Sequence, residues 1–202
     1  MAKMYGFKDG GEKPSQSYPM LAKGVYIAAI KNVKIDGVAP DQQIVLRLDI
    51  IEGEAAGYYT KRYQHDSNNA GKYEAKYKGD FRIQIPNEKN SKRDHPEWDA
   101  SKLNRAIYAI EQSNPGFHFD GDTDHIGELK GKTVGINVRQ GTFNGVPFTT
   151  IGRLEVADDV RKGLVKPMND LPDRMSDDAA STPASNATPA GFTPVETDEL
   201  PF

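Results

Sequence analysis

Residues 42–53, QQIVLRLDIIEG, place Ile44, Leu46, Leu48 and Ile50 at every second position, with Arg47 and Asp49 between them. Successive side chains of a strand point to opposite faces, so this spacing gives one apolar face and one polar face. Wound into a helix, the same residues would be scattered around the cylinder. The segment therefore reads as a half-buried strand, and it needs a sheet to belong to.

The neighbouring segments supply one. GVYIAAIKNVKID (24–36) is rich in Val, Ile and Tyr and ends at an Asp-Gly turn signal. GYYTKRYQ (57–64) stands where a third barrel strand is expected, and after a polar stretch DFRIQIP (80–86) is again strand-like. Between residues 100 and 113 the period changes, and Leu103, Ala106, Ile107 and Ile110 share one helical face. Asp99 or Ser101 is the expected cap, the SNPG that follows is the stop, and Trp98 beside the helix start is expected in the core. The last unit, GKTVGINVRQGTFNGVPFTTIGRLEV, folds about Phe143-Asn144-Gly145 as a hairpin. Three strands, a helix and a two-stranded hairpin follow the element order of an OB-fold. The expected class is mainly β, an OB-fold-like barrel with one helix of about three to four turns and a disordered C-terminal tail.

Charge divides the chain. From Pro167 onward seven acids (Asp170, Asp173, Asp177, Asp178, Glu196, Asp198, Glu199) face Arg174 alone, a net −6. Because the whole chain is −3, the body before it carries +3. Six of the 13 prolines lie in the same tail, and ASTPASNATPAG is built almost wholly of Ala, Ser, Thr and Pro. Such a composition buries too little apolar surface to offset the entropy of ordering it. The expected organisation is a flexible arm over 1–19, an OB-fold-like domain over 20–166, a disordered acidic linker over 167–195 and a docking tip over 196–202.

Several function classes find no support. The chain has no cysteine, so disulfides and thiolate metal sites are excluded and a reducing cytosol fits. No apolar run approaches a membrane span of roughly 20 residues, and MAKMYGFKDGGEKPSQ lacks the apolar centre of a signal peptide. A cytoplasmic protein is expected. His65, His95, His118 and His125 each lie near an aspartate, but none has the spacing of a metal site. The run from Asp120 to Asp124 begins like a calcium loop, yet His125 and Gly131 stand where that loop needs Gly and Glu. No phosphate-cradling or nucleophile-elbow motif is present. No enzymatic activity, metal or cofactor is expected.

The closing residues Asp198-Glu199-Leu200-Pro201-Phe202 resemble the C-terminal tip of bacterial single-stranded DNA-binding proteins, with Leu in place of the more usual Ile before Pro. The body is similar to phage and mobile-element proteins of the single-strand-binding type in YPMLAKGVY (18–26), IEQSNPGFHFD (110–120) and LKGKTVG (129–135). The resemblance implies an OB-fold that coats single-stranded DNA in replication or recombination, in the cytoplasm of a bacterial host if phage-encoded. It further implies recruitment of replication, recombination or repair enzymes through Glu196, Asp198, Glu199, Leu200, Pro201 and Phe202. A terminal ring suits a partner pocket, and the acids suit its basic rim.

Such a protein needs cations for phosphates and aromatic faces for bases. Two clusters offer both. Tyr59, Lys61, Arg62 and Tyr63 fall in the expected third strand, and Tyr73, Lys76, Tyr77, Lys78, Phe81 and Arg82 in the basic, aromatic run from 72 to 82. Tyr73, Tyr77 and Phe81 are four apart, a spacing that a helical turn would align, though Gly79 interrupts it. Trp98 and Phe143 are weaker candidates, a tryptophan beside a helix start being more often a core residue. Two alternatives stand beside strand binding: a recruitment or inhibitor protein that captures a host factor through the tip alone, and a nuclease. Oligomeric state is left open.

Overall fold

The computed structural model describes residues 17–70, 74–86 and 96–173. Strands β1 (Gly24–Asp36) and β2 (Gln43–Ile50) come first, followed by helix α1 (Tyr58–Asn69) and β3 (Asp80–Gln84). Helix α2 (Pro96–Ser113) leads through a 3-10 turn (Thr123–Leu129) to β4 (Thr133–Phe143), β5 (Val146–Glu155) and the short α3 (Ala157–Arg161). The strands form one antiparallel sheet in the order β3-β2-β1-β4-β5, so the fold is mainly β.

The 13-residue β1 serves both halves of the sheet. Its first part, Gly24 to Ala29, pairs with β4, and Ala28 to Asp36 pairs with β2, with a register shift at Lys31. Such a bulge bends a strand and increases its twist. Both halves bury the face that period two selects: Ala28 and Ile30 on β1, Ile44, Leu46, Leu48 and Ile50 on β2, Phe81 and Ile83 on β3, Val134, Ile136 and Val138 on β4. Fully burying an Ile or Leu contributes about 1.5–3 kcal/mol, and that gain fixes the register.

Helix α2 packs against β3, β4 and β5, so it touches both edge strands. Ala106, Ala109 and Ile110 are buried there and Leu103 and Ile107 pack beside them, which is the helical face legible from the spacing. Asn114, in the SNPG stop, ties the helix end to β4. Its Nδ2 donates to the Ile110 and Thr133 carbonyls, both at 2.7 Å, and its Oδ1 accepts from Thr133 N at 3.0 Å. The β4–β5 turn holds Asn144 and Gly145 at φ 50° and 76°, the left-handed pair that a two-residue hairpin requires.

Five expectations change. Among the described residues no pairing joins β3 to β5, so the sheet has two free edges and the barrel is not closed. Residues 57–64 are the start of α1, not a third strand. Tyr58, Arg62 and Asp66 follow one another at helical spacing, with Arg62 Nη1 donating to Tyr58 Oη and lying beside Asp66, contacts that β geometry could not make. With α1 and α3 the protein has more than the single expected helix, and α2 begins at Pro96, upstream of Asp99 and Ser101. Trp98 is 66% exposed rather than in the core.

The chain also keeps hold of the sheet past residue 166. Met168 N donates to Asn137 Oδ1 and Leu171 N to the Gln140 carbonyl, while Asp170 pairs with Lys23 and Asp173 accepts from Thr142. No helix among the described residues is long and apolar enough to cross a membrane.

Candidate nucleic-acid interface

The face of β1–β2–β3 opposite the core is a grid set by register. Asn32, Arg47 and Asp80 form one row, Lys34, Val45 and Arg82 the next, and Asp36, Gln43 and Gln84 the third. Val45 is buried in its centre, flanked by the long side chains of Lys34 and Arg82. Arg82 reaches Asp36 at 2.8 Å, and this hydrogen bond, with Lys34 nearby, holds the Asp36 carboxyl below its usual range.

Helix α1 borders the grid, and a buried carboxylate secures it there. Gly57, at φ 74°, brings the chain off β2 but offers no side-chain cap. Asp49, on the outer face of β2 and 4% exposed, does the capping from another element. Its Oδ1 accepts from Ile50 N and Tyr59 N, both at 3.0 Å, and its Oδ2 accepts from Thr60 Oγ1. An anion at a helix N-terminus satisfies amides that have no partner within the helix and complements the dipole.

Segment 74–79 folds over the same corner. Gly79 is there because nothing larger fits: a Cβ would lie 2.5 Å from the Leu48 carbonyl oxygen and 2.7 Å from the Tyr59 ring. The close approach brings Tyr77 onto the sheet, where its hydroxyl donates to the Leu48 carbonyl at 2.9 Å. Burial pushes the Tyr77 phenol up to about 12, and burial likewise raises Tyr59.

Tyr77 is the hinge of an aromatic array. Its ring lies 6.3 Å from Tyr59 and 5.8 Å from Tyr63, and the Arg47 guanidinium stands over it at 4.7 Å. Arg47 is also held by Asp80 at 3.0 Å. Tyr63 is 40% exposed and presents the free end of the array. Lys76 and Lys78 flank Tyr77 in sequence, are exposed, and have no ion-pair or hydrogen-bond partner among the described residues.

The candidate residues thus separate. Tyr63, Tyr77, Lys76, Lys78 and Arg82 lie on or beside this face. Lys61 is exposed with its Nζ on the Ala56 carbonyl, and Arg62 is half-buried between Tyr58 and Asp66. Tyr59 and Phe81 are core residues, 2% and 5% exposed, and present no free ring to a base. No helical turn aligns Tyr77 with Phe81, because 74–79 is irregular and β3 begins at Asp80. Tyr73 and the tip Glu196, Asp198, Glu199, Leu200, Pro201 and Phe202 lie outside the described residues. Arg47 and Lys34 were not among the candidates, although the alternation that buries Ile44, Leu46 and Leu48 puts Arg47 on the opposite face. At the other end of the sheet, Phe143 and Val146 of the hairpin tip are exposed. The aspartates of the calcium-like run serve the 3-10 turn: Asp122 accepts from Asp124 N, and Asp120 pairs with His125.

No family model matches this chain, and no curated protein matches it.

Proposed function

We propose that this protein binds single-stranded DNA across the outer face of β2–β3 and recruits DNA-processing enzymes through its acidic, Phe-ended tip. One observation carries the reading: the Arg47–Tyr77–Tyr63 array, with exposed Lys76 and Lys78 beside it. An exposed ring next to a guanidinium and free ammonium groups is what a base and its flanking phosphates need. A stacked ring reads no hydrogen-bond pattern, so binding is tolerant of sequence, as coating of replication or recombination intermediates demands. No step of this role requires the protein to be an enzyme or to hold a cofactor. Strand binding of this kind belongs in a cytoplasm, that of a bacterial host if the chain is phage-encoded.

A titration with oligo(dT) and with a duplex of equal length tests the groove. Tight binding of the single strand, much weaker binding of the duplex and an affinity that falls steeply with salt are expected. No affinity for either would leave recruitment through the tip alone as the function, and equal affinity for the two would make the protein a general DNA binder. Cleavage of either that depends on added metal would make the protein a nuclease.

The tip is tested separately. Phe202→Ala removes the ring while keeping the acids, which as exposed ion pairs contribute only ~0–1 kcal/mol each. The variant should lose replication or repair enzymes in pulldowns from a bacterial lysate while its oligo(dT) affinity stays within about two-fold. Retention of every such enzyme by Phe202→Ala would remove the tip from the proposal.

A further inference from the structure

A cleft of about 240 Å³ lies in the seam between the two free edges of the sheet. Phe81 of β3 and Gly152 and Leu154 of β5 form two of its walls, Ala106 of α2 a third, and Met168 closes it from the returning chain. This interior is apolar, yet three cations line it. Arg105 is steadied by Ser101 Oγ at 2.8 Å, Arg153 by Glu155 at 2.6 Å, and Lys102 Nζ by the Arg82 carbonyl at 3.0 Å. Trp98, the only tryptophan of the chain, lines the same cleft while 66% exposed.

An exposed indole leaves a large apolar area in water, and burying it would be favourable. Its place beside a basic rim suggests that a ligand covers it. The cleft, at about 240 Å³, is smaller than the roughly 300–1,000 Å³ that engulfs a drug-sized molecule, a size that suits a single ring. It is also continuous with the face described above. Lys102 bonds the backbone of Arg82, whose side chain belongs to the β2–β3 grid, so only the width of the β3 edge separates the two. We infer that the seam is a second nucleotide subsite, in which Trp98 stacks on a base and Arg105 and Arg153 meet the adjoining phosphates. The inference rests on the strand-binding reading and extends it around the β3 edge onto α2.

The test reads two signals from the full-length chain. The anisotropy of a labelled oligo(dT) reports binding anywhere on the protein, and emission excited selectively from tryptophan reports this cleft alone. Binding should quench Trp98. Trp98→Ala should raise Kd at least about five-fold, whereas Trp98→Phe should stay within about two-fold, since it keeps a stacking face. Arg153→Ala should flatten the log–log salt dependence by about 0.7. If anisotropy rises while Trp98 emission and the Trp98→Ala affinity do not change, the subsite is overturned and strand binding stands. If anisotropy never rises, both readings fall. Emission that responds to removal of residues 196–202 but not to oligo(dT) would overturn the subsite and give the cleft to the acidic tail.

Discussion

Asp49→Ala will lower the free energy of unfolding by about 2–4 kcal/mol and will release the start of α1 from the sheet. The carboxylate accepts from Ile50 N, Tyr59 N and Thr60 Oγ1 while almost fully buried. Alanine would leave those donors without a partner, and each buried orphan costs about 1–3 kcal/mol. The other firm anchor of the helix is Tyr58, whose hydroxyl donates to the Pro19 carbonyl at 2.8 Å and accepts from Leu21 N at 2.9 Å. Only Tyr58 and Tyr59 of its 12 residues are buried, both in its first turn, and neither Gly57 nor an acid in that turn caps it. The shape-matched Asp49→Asn keeps an oxygen for the two amides and loses the charge that faces the helix dipole, so its loss should be nearer 1 kcal/mol. Denaturant midpoints and far-ultraviolet circular dichroism measure both. An alanine variant within about 0.5 kcal/mol of the parent would mean that α1 is capped by something else. Because Tyr63 rides on this helix, oligo(dT) affinity should fall in step with helicity.

Tyr63→Ala and the double variant Lys76→Ala/Lys78→Ala should separate the two components of strand binding. Tyr63 is exposed, so truncating it leaves the core intact and removes a stacking face. Affinity should drop by about 1–3 kcal/mol with the salt slope unchanged, since stacking releases no counterions. The two lysines should instead flatten the slope by about 1.4 if both meet phosphates of a single strand. Isothermal titrations at several salt concentrations give both quantities. A slope untouched by the lysines would move the phosphate track off segment 74–79, and an affinity untouched by Tyr63→Ala would remove the exposed end of the array from the site. Phe81→Ala is a different kind of change. Its ring is in the core, and a loss of about 3–5 kcal/mol in stability is expected whatever the ligand.

Most of the sheet was determined by local sequence. Period two over Ile44, Leu46, Leu48 and Ile50, the β-branched run from Gly24 to Asp36, and Asn144-Gly145 in the hairpin each encode an element without reference to the rest of the chain. The same holds for α2, whose apolar residues recur at 3.6. Residues 58–69 did not yield to that reading. Tyr58, Tyr59 and Thr60 favour strands by propensity, but the cap that makes them helical is Asp49, on another element and held there by the β2 register. Tertiary structure likewise decided which aromatics face water. Tyr59, Tyr63, Tyr77 and Phe81 are chemically alike in sequence, yet the close approach at Gly79 buries the first beneath Tyr77, and the pleat of β3 turns Phe81 inward. The grid that brings Arg47 between Tyr77 and Asp80 arises from pairing residues more than 30 positions apart in register. Alternation specifies which face of a strand a side chain joins, but only the packed sheet specifies which neighbours it meets there.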